Sequence, residues 1–286
     1  MSSPAHSTGS DRVQRTLYDV TARQRIHSFP RGIILRYEPT EALNSFLAGN
    51  YHVRWVVINF TDAAKIIRDH GSVHAVLEDW QIPIVTATDP DIDVYARQRD
   101  DIRDLLEDIQ PAIYIPDAGE VYWKESNQSE EEAKRAQRHG IDFFIERLNF
   151  VMSYVEEESL DIGVLPLAKG MYRWHYQRLK DCYERYDFSN YAFYTKQYTN
   201  GGNYIRRLEN HIQNLIDVMD AENIFIIARH GETHLSRLPP QVTGASGIVQ
   251  FAKNCKVNGS FHEDLFTDWR ERLESVLLDK VTVVQQ

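Results

Sequence analysis

Short apolar runs rich in β-branched residues alternate along the chain with longer charged stretches. The runs are Ile33–Tyr37, Trp55–Phe60, Pro83–Ala87, Ala112–Pro116, Gly163–Leu167, Tyr191–Thr195 and Ile224–Ala228, with Val242–Gly247 as a weaker eighth. Most are apolar at successive rather than alternate positions, the pattern of strands covered on both faces. Between them the spacing predicts helices. Thr40–Gly49 opens on a capping Thr and ends at Gly, Asp62–His70 ends before Gly71, and Asp93–Ile109 stops before Pro111. Ser129–Glu158 opens Ser129-Glu130-Glu131-Glu132, a capping box that sets acids at the positive end of the helix dipole. Tyr172–Tyr186 and Tyr204–Met219 follow, and Glu263–Leu278 is expected to pack across the barrel.

Strand–helix alternation with about eight strands in one domain length predicts an α/β fold, a (β/α)8 TIM-type barrel of irregular kind. It is expected to occupy residues 29–286 behind an arm-like segment at 1–28; an open doubly wound sheet is the alternative. No Gly-rich first turn marks a dinucleotide site, and Gly201-Gly202 reads as a turn because it lacks a third glycine and a phosphate-loop Lys. No cofactor and no metal are expected. Lys+Arg 32 against Asp+Glu 42 leaves a net charge of −10, which disfavours a protein that coats nucleic acid non-specifically but permits a local basic groove. Cys182 and Cys255 cannot form a disulfide framework or a four-cysteine zinc site. The small, polar stretch Met1–Ser10 has no apolar core of a signal peptide, and no run approaches the roughly 20 apolar residues of a membrane helix. The expectation is a cytoplasmic protein.

In such a barrel the chemistry lies at the carboxyl ends of the strands. The residues there are Asn59 and Asp62, then Thr86, Thr88 and Asp89, then Asp117 and Glu120, Lys169 and Gly170, Lys196 and Gln197, and finally Arg229, His230 and Glu232. Apolar strands ending in this set predict a polar pocket converging on a small ligand. Asp117, Asp89 and Glu232 are the candidate catalytic carboxylates. Asn59, Glu120, Lys169, Gly170, Lys196, Gln197, Arg229 and His230 are the candidate substrate contacts. In Tyr194-Thr195-Lys196-Gln197-Tyr198 an amide can read the edge of a planar base while a ring stacks on its face, although Tyr194 itself reads as core. Arg229-His230-Gly231-Glu232-Thr233 resembles the phosphohistidine motif of histidine phosphatases. That family sets the motif near the amino terminus and needs a second catalytic His far downstream, and here only His234 and His262 follow.

From Ala112 to about Asn254 the order of features resembles the tRNA-guanine transglycosylases and their DNA-modifying 7-deazaguanine paralogues. The strand Ile113-Tyr114-Ile115-Pro116-Asp117 ends in an acidic turn and precedes the long helix at Ser129–Glu158. Next come Ile162-Gly163-Val164-Leu165-Pro166-Leu167-Ala168-Lys169-Gly170 and His175-Tyr176-Gln177-Arg178-Leu179, then the aromatic strand around Asn190-Tyr191-Ala192-Phe193-Tyr194 leading to a Gly-rich turn. The resemblance covers about half of the chain. It implies a carboxylate attacking the anomeric carbon while the departing base is protonated and a 7-deazaguanine takes its place, with Asp117 in the position that reads the guanine edge. Two features depart from the family: Val242–Gly247 holds no nucleophilic Asp, and two cysteines cannot build the three-Cys, one-His zinc site of the tRNA-acting members.

The resulting expectation is a transglycosylase-like protein acting on a guanine or 7-deazaguanine base in DNA or tRNA, with phosphate contacts from Arg12, Arg15, Arg23, Arg25, Arg31, Arg36, Arg173, Arg178, Arg206 and Arg207. A homo- or hetero-oligomer is compatible with it. The rival readings are a non-catalytic barrel that binds a partner subunit or nucleic acid, and a histidine-phosphatase-like enzyme.

Overall fold

The structure, a computed structural model, describes residues 29–117, 119, 121, 128–198, 204–228 and 231–284. Eight parallel strands form one curled sheet: β1 Gly32–Arg36, β2 Trp55–Asn59, β3 Ile82–Thr86, β4 Ile113–Ile115, β5 Gly163–Val164, β6 Asn190–Tyr194, β7 Asn223–Ile227 and β8 Val242–Gly247. Their spatial order is β5-β4-β3-β2-β1-β8-β7-β6. That is the cyclic order of a TIM-type barrel cut between β5 and β6, without the order reversal of a doubly wound sheet.

The cut is a correction to the closed barrel that the periodicity predicts. β5 and β6 meet only through one isolated bridge, Leu167↔Ala192. There the Ala192 amide donates to the Pro166 carbonyl at 2.9 Å and the Ala168 amide to the Ala192 carbonyl at 2.7 Å. The next rung would need a donor at position 166, and proline has none. Below Pro166 the strands part into a cleft of about 530 Å³ lined by Gly163, Val164, Leu165, Phe188 and Asn190, among others.

The helices are α1 Glu41–Leu47, α2 Phe60–His70, α3 Asp91–Ala96, α4 Arg99–Ile109, α5 Glu130–Glu157, α6 Arg173–Arg185, α7 Tyr204–Met219, α8 Glu232–Leu235, α9 Val249–Cys255 and α10 Glu263–Val284. The caps do what the residue types dictate. Thr40 accepts from the Leu43 amide, and Ser129 and Glu132 form a reciprocal capping box. A second capping box, Gln98 with Asp101, starts α4 and splits the single helix expected over Asp93–Ile109, with Arg97 extended between the halves (φ −62°, ψ 124°). A short hairpin, β9 Lys256–Val257 and β10 Ser260–Phe261, turns through Asn258 and Gly259, both at positive φ (50° and 89°). Asn-Gly is the dipeptide such a turn demands, a signal present in the sequence.

Helix α10 runs along β1 and β8. Its Glu274 carboxylate accepts the Ile33 amide at 2.9 Å, and Gly32 before it sits at φ 81°, a left-handed conformation that calls for glycine. All six residues of β8 are buried, so the weakest of the apolar runs is a central strand. Gly244 keeps it there, since a Cβ would meet the Pro30 carbonyl at 2.2 Å and the Phe225 ring at 2.6 Å. Across neighbouring strands, Asn59 pairs in register with Thr86 and Thr86 with Ile115, which brings the polar residues that follow β2, β3 and β4 to one end of the sheet. No helix among the described residues is long and apolar enough to cross a membrane.

Candidate functional site

A cavity of about 400 Å³ opens at the carboxyl ends of β3 to β6. This lies within the range of small-ligand sites. Two of its carboxylates, Asp117 and Asp89, are held in ion pairs.

The first pair follows β4 and β5. Pro116 stiffens the chain after Ile115, and Asp117 turns inward, its Oδ1 2.5 Å from the Lys169 Nζ. The same ammonium donates to the Gly119 carbonyl at 2.7 Å. The side chains are 5% and 12% exposed, so the pair is largely removed from bulk water. The second pair follows β3. Arg97 Nη2 donates to Asp89 Oδ2 at 2.6 Å with both side chains nearly sealed, 5% and 2% exposed. The Thr61 amide reaches the same oxygen at 3.4 Å. The Arg97 guanidinium lies over the Phe60 ring, 3.7 Å from its centre, and the Arg97 carbonyl accepts from Arg147 Nη2 at 2.6 Å. Asp89 Oδ1 receives no hydrogen bond from a described residue.

Two groups answer to this charge. Asp62, in the first turn of α2, has its pKa raised by burial first and then by the Asp89 carboxylate, against a lowering by Arg36. Burial also raises Tyr194, which Arg36 lowers and Asp117, Asp91 and Asp89 raise further, so its phenol stays protonated at neutral pH.

The loops after β5 and β6 rest on a buried polar network. Tyr176 donates to the Gly170 carbonyl at 2.8 Å, and a Cβ on Gly170 would lie 2.8 Å from that ring. His175 accepts the Met171 amide on Nδ1 at 3.0 Å and meets Gln137 Oε1 through Nε2 at 3.2 Å. Gln197 Nε2 donates to the Tyr198 hydroxyl at 3.3 Å, which lies 2.7 Å from His211 Nδ1. Burial pushes His175 down to about 3, helped by His211, and His211 down to about 4, helped by Arg207. Both imidazoles are therefore neutral struts beneath the site.

Of the residues predicted from sequence, Asp89, Asp117, Lys169, Gly170, Lys196 and Gln197 line this one cavity. Asn59 does not line it; its side chain accepts from Arg36 Nη2 at 2.7 Å. Glu232 begins α8, faces solvent and sits 3.5 Å from Arg272 of α10, outside the cavity lining. Glu120, Arg229 and His230 lie outside the described residues. Sequence reasoning missed Tyr194, Asp91 and Arg97. Tyr194 reads from the sequence as core but lines the cavity, half-buried. The spacing of Asp89 and Arg97 carries no helical or strand signature, because the chain between them bends through α3. Among the described residues no group of three or more His, Cys, Asp or Glu is placed to hold a metal ion.

No protein-family model matches the chain, and no curated protein matches it at a significant level.

Proposed function

We propose that the cavity takes a guanine-type base of a nucleic acid and exchanges it through a covalent glycosyl intermediate. The observation that supports this most is the pair of buried carboxylates on successive strand ends, each pinned by a cation, in a cavity with room for a small heterocycle. Asp89 is the nucleophile of this reading. Arg97 and the Thr61 amide hold one carboxylate oxygen, and the other attacks the anomeric carbon as its bond to the base breaks and water protonates the departing base; the incoming base then displaces Asp89, restoring the carboxylate, and yields its ring proton to water. Asp117, steadied by Lys169, accepts the ring and amino N–H groups of the base. Lys196, exposed at the rim, meets the phosphate backbone.

The test is incorporation of labelled guanine or a 7-deazaguanine into DNA and into tRNA. Asp89→Asn is expected to abolish exchange by on the order of 10³-fold or more while leaving base binding in place. Asp117→Asn is expected to weaken base binding about tenfold or more. No incorporation into either nucleic acid by the folded chain removes the enzyme reading.

One observation favours a second reading, a non-catalytic barrel that binds nucleic acid or a partner subunit. Both cavity carboxylates are already neutralised by buried cations, and β8 ends at Gly247 without an acid. Guanine binding without exchange, together with co-purification of a catalytic paralogue, would select it.

A further inference from the structure

The donors of the cavity have been spent unequally. Lys169 directs its ammonium to Asp117 and to the Gly119 carbonyl. Gln197 gives its amide N–H to Tyr198. The Tyr198 hydroxyl in turn lies 2.7 Å from His211 Nδ1, so Gln197 and Tyr198 are tied into the polar network beneath the cavity. Lys196 is exposed to solvent at the rim. Tyr194 differs from all of these. It lines the cavity at the end of β6, is half-buried, and its hydroxyl makes no hydrogen bond with a described residue. Its electrostatic neighbours, Arg36, Asp117, Asp91 and Asp89, come from the ends of three other strands, β1, β3 and β4, which places the ring where the tips converge.

A ligand here meets acceptors on one side, at Asp89 and Asp117, and a neutral O–H on another. A carbonyl of the ligand is repelled by the carboxylates and needs a donor; its N–H groups are drawn to them.

We infer that Tyr194 is a ligand-contacting, specificity-determining residue of this cavity, donating its hydroxyl hydrogen to the exocyclic carbonyl of a heterocycle whose N–H edge faces Asp117. The ligand class is a lactam-type base with a carbonyl beside ring N–H, in preference to a base without the carbonyl. This deepens the base-binding reading above and rests on it.

Calorimetric titration of the full chain and its Tyr194→Phe variant, with guanine and with 2-aminopurine, tests it. 2-Aminopurine has hydrogen in place of the carbonyl at C6. The variant removes only the hydroxyl and is expected to melt with the parent. Guanine binding should fall about tenfold in Tyr194→Phe, equivalent to about 1.4 kcal/mol, and 2-aminopurine binding should change by less than about twofold. Equal losses for both bases would show that Tyr194 acts only through packing, and unchanged guanine binding would show that it makes no contact; either overturns the inference. Failure of the parent chain to bind either base would instead bring down the base-binding reading itself, and the inference with it.

Discussion

β2 and β3 run in register without interruption from Trp55↔Ile82 to Asn59↔Thr86, whereas β4 and β5 share only Ile113↔Gly163 and Tyr114↔Val164, and β5 and β6 touch at a single bridge. The arc β7-β8-β1-β2-β3 is hydrogen-bonded from strand to strand, with two register pairs between β1 and β2 and a register shift between β7 and β8 at Ile224/Phe225, whereas in the seam β4-β5-β6 a single pair of backbone hydrogen bonds remains between β5 and β6. The cavity spans the boundary between them. Its β3 pair, Asp89 with Arg97, is locked from three directions by Phe60, Thr61 and Arg147, while its β4/β5 pair, Asp117 with Lys169, joins two strand tips across the weakly paired region. The comparison teaches a division of labour. The Asp89 carboxylate is held at the end of the well-paired β2–β3 edge, and the Asp117–Lys169 pair sits where the strand pairing runs out.

The largest expected effect breaks the arc side. Arg97→Met strands Asp89 as a buried, unpaired charge and is expected to destabilise the fold by about 4 kcal/mol in urea titration. Gly244→Ala forces a Cβ against the Pro30 carbonyl and the Phe225 ring, which cannot both retreat, and about 3 kcal/mol is expected by the same measurement. On the seam side Lys169→Met should cost less, about 2 kcal/mol, because the Asp117–Lys169 pair is less sealed from water, 5% and 12% exposed against 2% and 5% for Asp89 and Arg97. A cost for Lys169→Met equal to or above that of Arg97→Met would dissolve the distinction between the two sides.

Acid should also reach the seam side first. His175 and His211 have folded pKa values pushed down to about 3 and about 4 from an ordinary 6.5. Between pH 6.5 and about 4 the unfolded chain therefore binds protons that the folded chain refuses. Stability is full above pH 6.5 and falls as pH drops, approaching about 1.4 kcal/mol per pH unit for each imidazole. His211→Gln should flatten the slope of a melting series taken from pH 7 to pH 4.5. The smallest effect is at the seam itself. Pro166→Ala restores a donor opposite the Asn190 carbonyl, and the amide created at position 166 should exchange slowly with solvent, with global stability changed by less than about 1 kcal/mol. Fast exchange there would show that something other than the missing proline donor keeps β5 and β6 apart.

Much of this architecture is legible in the amino-acid order. Every apolar run is a strand within a residue or two at most of its ends, apart from Gly163–Leu167, which Pro166 cuts to Gly163–Val164. Strand tips are readable because apolar residues must stop where the sheet meets water. For that reason Asp89, Asp117, Lys169, Lys196 and Gln197 stand out before any coordinates are known. The Gln98 and Asp101 capping box that divides α3 from α4 was hidden inside one long amphipathic stretch, since a cap in mid-helix looks like two more surface polar residues. Tyr194 was hidden for a different reason. An aromatic residue in a strand packs into the core far more often than it lines a pocket, and only the positions of its neighbours show which it does.

Periodicity and caps belong to neighbours along the chain, so the alternation of strands and helices, their order and the polar character of the strand ends are written in the amino-acid order. The tertiary structure alone decided whether the sheet closed, which cation each buried carboxylate received, and that Tyr194 opened onto the cavity. Those outcomes depend on pairings between residues distant in sequence, such as Asp117 with Lys169 and Leu167 with Ala192, whose energies appear only once the chain has brought the partners within a few ångströms.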